Sequence, residues 1–379
     1  MTQKKIVFYG WNPFQLLHFR RLIKAIPGAC FILENRENSI KDFAPELLND
    51  PLVPVIVIES AKVPALNAIA DVVVCQNEFP LIETFTRAKI AMVQYGYAKE
   101  PHNYGPWRVF ADLNLAYGPY AVERMAYFAP SVDVGNPQYD DWFDESFHQR
   151  ARAKYGPRLD PARKTILYAP TWGDLSSIDR FLGAVQALSG DYNVLLKIHH
   201  NTQRREAGRR DAVTNLNTHH FGASDALLDL ISVSDVVISD YSGAIFDAVF
   251  CSRPIVLLND QKSSSSDKMD DYSIEFSRRG ELGLQVDHPG DLKAVVDRAA
   301  SDPNAVMALS EALRNELFTD RPDATEEAAK AILDLANGKY QPSQMQTYLR
   351  KEIRAFRETS RQLGVAVYRM RQMQMSSAR

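Results

Sequence analysis

Several things are scarce or missing in this 379-residue sequence. Cysteine is scarce. Cys30, Cys75 and Cys251 lie far apart in apolar runs and form no C-x-x-C pair. That excludes a disulfide framework, argues against a structural zinc site and suits buried thiols in a reducing compartment. An excess of one charge is also missing. Forty-four basic and 47 acidic residues leave a net charge of −3, which argues against a nucleic-acid partner bound through bulk basicity. No stretch of about 18 uncharged apolar residues exists, so no transmembrane helix is expected. The opening MTQKKIVFYG enters a strand-like run at once, so no secretory leader is expected either. The expected location is cytoplasmic, with room for a peripheral position on the inner face of the membrane.

What is present reads as a folded chain of two domains. At about 150 residues per domain the length allows two, and 45% hydrophobic with 24% charged residues is ordinary for globular proteins. Short apolar, β-branched runs recur, each followed by a helical pattern. They are Ile6–Tyr9, Cys30–Leu33, Val55–Ile58, Val72–Cys75, Ile90–Val93 and Leu113–Tyr117, then Ile166–Tyr168, Val194–Ile198, Asp235–Ser239 and Ile255–Leu258. Continuous apolar strands are buried on both faces, as in parallel sheets. Strand and helix alternating twice over predict an α/β fold of two doubly wound, Rossmann-like domains. The polar, proline-containing stretch at 144–163 predicts the boundary, with units at 1–150 and 160–338 and a helical extension at 339–379. The polar stretch Lys262–Asp271 reads as a loop beside a strand end.

Three strand ends carry chemistry. In SDVVISDYSGAIFDAVF, Ser234–Phe250, a buried strand runs into the turn Asp240-Tyr241-Ser242-Gly243 and then directly into a helix. Free backbone N–H groups at such a terminus favour phosphate, although a plain capped helix would look the same. In VLLKIHHNT a strand ends in Lys197 and His199, a cation and an imidazole able to neutralise or protonate a leaving phosphate. In TILYAPTWGD a strand stops at Pro170, which places Thr171 and Trp172 at the lip of the same crevice.

Taken in order, YAPTW, KxH and SDVVISDYSGAIFDAVFCSRPIVLL resemble the CDP-glycerol glycerophosphotransferase family of teichoic-acid synthesis. The likeness is close over about 165–290 and loose before it. It implies the two-domain GT-B glycosyltransferase fold and a nucleotide-activated donor, with CDP-glycerol or a CDP-polyol first and a CMP- or UDP-sugar as alternative. It implies a glycan or lipid-linked acceptor and no metal or other cofactor. Residue by residue it implies that His199, with Lys197, works beside the donor pyrophosphate. The turn Asp240, Tyr241, Ser242 and Gly243 would hold the phosphates. Asp247 matches the family's helix aspartate, Thr171 and Trp172 its APTW strand end, and Arg279 the arginine before its last strand. The family's W-H-G-T histidine, which takes the acceptor proton, is replaced by Tyr95. His102 is the nearest imidazole and the expected base, with Glu100 next. Gly10, Asn12 and Gln15 fall on the acceptor-side loop. Val134–Asp140 resembles the family's V-G-x-P-R-x-D, which ends the N-terminal domain, with a structural turn near the hinge the favoured reading. The missing histidine leaves open a nucleotide-sugar epimerase or a non-catalytic membrane scaffold on the same fold.

The bland net charge conceals an asymmetry. Residues 341–379 hold eight basic and two acidic side chains, a net of +6, which leaves −9 on the rest. Apolar residues recur there at helical spacing: Tyr348, Leu349, Ile353, Phe356, Leu363, Val367 and Met370. A basic amphipathic helix predicts contact with an anionic membrane surface, or else packing on the body.

Overall fold

A computed structural model describes residues 3–216, 218–260 and 270–377, with side chains described as far as residue 365. The expected loop at 262–271 therefore falls largely outside the described residues, as do the side chains of Val367 and Met370.

Two parallel sheets form from the apolar runs. The first orders its strands β3-β2-β1-β4-β5-β6-β7 and the second β10-β9-β8-β11-β12-β13, with every pair parallel. In the first sheet β1 is Ile6–Gly10, β2 Cys30–Glu34, β3 Val55–Ile58, β4 Val72–Cys75, β5 Lys89–Val93 and β6 Leu113–Ala116, ending with β7, Ser131–Asp133. In the second β8 is Thr165–Tyr168, β9 Asn193–Lys197, β10 His219–Phe221, β11 Val236–Ser239 and β12 Ile255–Leu258, ending with β13, Leu284–Val286. Each strand read from the sequence is present to within a residue at either end. In both sheets the chain order reverses at the centre, between β1 and β4 and between β8 and β11. Ligands of doubly wound sheets bind in the crevice at that reversal, beyond the strand C-termini.

The stretch at 144–163 is not a bare linker. Asp144 accepts the Ser146 N–H and caps a helix, Glu145–Tyr155. Phe147, Ala151 and Tyr155, each four residues apart, bury one stripe of it. One apolar core runs through both units, joining residues such as Phe8, Phe19 and Tyr117 to Val237, Phe246 and Phe250. The outer face of each sheet has its own core.

The end of the chain returns to the first unit. The Ala324–Ala336 helix packs against the Pro13–Ala25 helix and the first sheet, so the span 160–338 contains a helix that belongs spatially with residues 1–150. Asp140 anchors the return, its carboxylate accepting the N–H groups of Ala324 (3.0 Å) and Thr325 (2.9 Å). The last helix, Gln344–Ser377, then lies along the first unit. Its four arginines up to Arg361 face the protein. Arg350 donates to Val109 O, Ala111 O and Asp112; Arg354 to Glu83 O; Arg357 pairs with Glu78 and Glu83; Arg361 pairs with Glu83. The apolar residues Met345, Tyr348, Phe356 and Leu363 are instead more than half exposed. The helix thus packs on the body, one of the two arrangements expected for it, with these arginines toward the protein.

Candidate functional site

The two lines of strand C-termini face each other across a cleft of about 780 Å³. The second unit supplies one wall. After β8 the chain turns through Pro170, and Thr171 and Trp172 line the cleft. After β9 come Lys197 and His199. The His199 ring stacks on Trp172, with centroids 6.0 Å apart and planes 22° apart. Its Nδ1 accepts the Asn201 N–H at 3.1 Å and so caps the His200–Arg205 helix. With Nδ1 accepting, a neutral ring carries its proton on Nε2. Burial, together with His200, Lys99 and Lys197, holds this imidazole well below its usual pKa. Burial also lowers the Lys197 ammonium to about 8, while its Nζ donates to Gly222 O at 2.7 Å. Ser242 and Gly243 line the cleft as expected. Gly243 has helical backbone angles, and a Cβ there would meet nothing within 4 Å. The turn needs no glycine for its conformation; the position opens on empty cleft.

Three residues expected on this wall stand behind it. Asp240 is wholly buried and works as a bracket. It accepts the N–H groups of Thr171 (2.8 Å) and Ser177 (2.9 Å) and the Ser177 hydroxyl (2.8 Å). Burial pushes its carboxyl pKa up, against those hydrogen bonds. Arg279, also buried, donates to the carbonyls of Asp240, Leu258 and Glu275. Its guanidinium lies 4.2 Å from the centroid of the buried Tyr241 ring. These groups hold the shape of the turn and leave the ligand-facing surface to their neighbours.

The first unit supplies the opposite wall. Asn12 lines the cleft and caps the Pro13–Ala25 helix through the Gln15 N–H. Gln15 is buried, its Oε1 accepting the Trp11 N–H at 2.8 Å. Gly10 lies against it, where a Cβ would come within 2.8 Å of both Gln15 and Phe31. Gln15 and Gly10 therefore shape the loop after β1 without facing the cleft. Tyr95 lines the cleft against Phe14, and burial with the nearby Asp247 carboxylate raises its hydroxyl pKa to about 12. His102 lines the cleft from an exposed position on a four-residue helix, Glu100–Asn103. Glu100 points elsewhere, accepting from Tyr120 and pairing with Arg124. Asp247 lines the cleft from the second unit, and its Oδ1 accepts from Tyr139 (2.7 Å) and Gln138 (3.3 Å) of the first.

The sequence reading missed Lys99. Held at a left-handed φ of 60°, it crosses the cleft and donates from Nζ to Thr171 Oγ1 and Tyr241 O, both at 3.2 Å. Its N–H is held by Glu275 at 2.6 Å, and burial raises that carboxyl to about 7. A lysine two residues before a proline carries no motif; only the facing unit shows what it reaches. Among the described residues no group of three or more His, Cys, Asp or Glu side chains is placed to hold a metal.

Residues 123–277 match the family model of CDP-glycerol:poly(glycerophosphate) glycerophosphotransferase. The matched stretch takes in all three strand-end motifs. A teichoic acid glycerol-phosphate transferase of Staphylococcus aureus is 25% identical over 126 residues, 31% of this chain and 31% of that protein. A teichoic acid poly(glycerol phosphate) polymerase of Bacillus subtilis is 28% identical over 160 residues, 39% of this chain and 21% of that protein. The matched stretch thus spans less than a third of either relative. The structure of the wall teichoic acid polymerase TagF superposes with a TM-score of 0.65 at 17% identity, over 90% of this chain and 91% of that one. A UDP-GlcNAc 2-epimerase from Neisseria meningitidis superposes at 0.58 with 13% identity, over 87% and 100%. The architecture is the GT-B fold, two parallel-sheet units with a helical C-terminal region.

Proposed function

We propose that this protein transfers a polyol phosphate, or a sugar, from a CDP-activated donor to a hydroxyl of a glycan or lipid-linked acceptor in cell-surface polymer synthesis. The observation that carries the reading is the cluster Thr171, Lys197, His199 and Ser242–Gly243, gathered on one cleft wall at a sheet reversal. Lys197, with Lys99 reaching over from the first unit, supplies positive charge and the neutral His199 an N–H donor, a pairing suited to a diphosphate. CDP-glycerol, named in the family's description, sets the donor class. In this reading His199 offers Nε2–H to the departing nucleotide phosphate, and Lys197 and Lys99 offset its charge. The acceptor enters on the side of Asn12, Tyr95 and His102. No step is routed through a metal or cofactor.

The test is CMP release from CDP-glycerol by the purified chain, with and without a hydroxyl acceptor, alongside CMP- and UDP-sugars. Acceptor-dependent CMP release supports the reading. Acceptor-independent conversion of a UDP-sugar would instead support an epimerase, the reading that the Neisseria structure favours.

We propose further that the enzyme rests on the inner face of a membrane through the last helix. No helix among the described residues is long and apolar enough to cross one. With its arginines docked on the body, the helix turns Met345, Tyr348, Phe356 and Leu363 outward, an apolar stripe suited to shallow burial in lipid. Loss of sedimentation with liposomes on Phe356→Ser/Leu363→Ser supports this; wild-type sedimentation of that variant refutes it.

A further inference from the structure

Within the family pattern, two departures in this chain meet at one point. Tyr95 stands where the pattern has its histidine, and Gln138 where it has an arginine. Both lie beside Asp247: Gln138 donates to its Oδ1, and its charge raises the Tyr95 pKa. Asp247 sits one turn beyond Ser242–Gly243, is partly exposed and lines the cleft.

Most other cleft carboxylates are committed. Glu78 pairs with Arg357, Asp141 with Arg21 and Asp229 with Lys154. Asp225 accepts the Gly222 N–H and lies near the Lys197 ammonium. Asp247 forms no ion pair among the described residues. Its two side-chain hydrogen-bond donors, Tyr139 and Gln138, are neutral, and both fall on Oδ1. The cleft imidazoles are poorer candidates. His18 is buried against Gln76 and pushed down to about 3. His199 spends Nδ1 on a helix cap. His200 is lowered to about 4. His102 stands exposed on the short Glu100–Asn103 helix.

Resting on the transferase reading above, we infer that Asp247 is the general base, taking the acceptor proton in place of the absent histidine. The acceptor O–H proton passes to Oδ2 as the acceptor oxygen bonds to the donor's β-phosphorus. The bond from that phosphorus to the bridging oxygen breaks, and its electron pair leaves with CMP. Asp247 then returns the proton to water. The groups facing it are Tyr95, Tyr117 and Tyr139 from the first unit and Cys251 on its own helix, all held neutral by raised pKa values. Burial places the Asp247 carboxyl at about 6, suited to proton abstraction near neutrality.

The test compares Asp247→Asn, Asp247→Glu and His102→Ala with the wild type. Asparagine keeps the oxygen that Tyr139 and Gln138 bond. Acceptor-dependent CMP release by Asp247→Asn falls about 10²–10⁴-fold, while its calorimetric affinity for CDP stays at the wild-type value. The wild-type kcat/KM declines below a pH of about 6; the asparagine variant lacks this limb, His102→Ala keeps it, and glutamate restores part of the rate. The inference is overturned if Asp247→Asn stays within about tenfold of wild type, or if the limb disappears in His102→Ala. A wild-type chain that releases no CMP with any acceptor overturns the transferase reading, and this assignment with it.

Discussion

Asp240 provides the sharpest test of how the donor wall is built. Replacing it with alanine removes the acceptor for two backbone N–H groups, of Thr171 and Ser177, in a site without solvent access. The Ser177 hydroxyl retains Tyr168 as a partner, so the loss centres on the two amides. Each orphaned buried donor costs about 1–3 kcal/mol, which gives roughly 2–6 kcal/mol. Folded proteins hold only about 5–15 kcal/mol in total, so the variant should unfold at clearly lower urea. Asp240→Asn retains one acceptor oxygen and should lose about half as much. The effect reaches function through Thr171, whose backbone the carboxylate fixes and whose hydroxyl holds Lys99. CDP affinity should therefore fall in both variants, in the same order as stability. Urea unfolding followed by intrinsic fluorescence, with CDP calorimetry, measures both. An alanine variant that unfolds at the wild-type urea concentration would show that the bracket carries no stabilising energy.

Three further outcomes follow from the same geometry. His199→Asn keeps a side chain able to cap the following helix but removes Nε2–H. Transfer should drop about 10²–10³-fold with an unchanged melting temperature, and a large fall in melting temperature would mean that the ring is chiefly structural. Glu275 has a carboxyl raised from 4.5 to about 7 by burial. The folded state thus binds more protons than the unfolded state between those values, and stability falls as pH rises through them, by roughly 3 kcal/mol. Glu275→Gln should flatten the difference between unfolding at pH 5 and at pH 8; an unchanged difference would refute the assignment. Arg350→Ala removes three contacts from a largely buried guanidinium and leaves Asp112 without its cation, a loss of about 3 kcal/mol. Hydrogen exchange across 344–361 should accelerate in that variant, and wild-type protection would show that other contacts suffice.

The sheets were legible because a strand buried on both faces is written as an unbroken apolar run. The edge strands β7 and β10 were not legible: Ser131–Asp133 and His219–Phe221 are three residues each and mostly polar. The strand-end motifs located the cleft, but a motif does not distinguish a side chain that meets a ligand from one that supports the wall. Asp240 and Ser242 are two residues apart and face opposite ways. The tail's pattern gave a helix with two faces. Which face meets the body was settled by Glu78, Glu83 and Asp112, more than 200 residues earlier and with no local signature. Asp247 is similar, since its surroundings are set by Gln138 and Tyr139, over a hundred residues away.

The return of the Ala324–Ala336 helix and the docking of Gln344–Ser377 also bear on how the chain folds as it is made. All seven strands of the first sheet have emerged by Asp133, yet two of the helices that pack on that unit, Ala324–Ala336 and Gln344–Ser377, follow the whole of the second sheet. Until then its apolar surface is incompletely covered, the condition under which nascent chains aggregate. The second unit has all its strands by Val286 and so has its whole sheet before the first unit is closed. The first unit is thus begun before the second and completed after it.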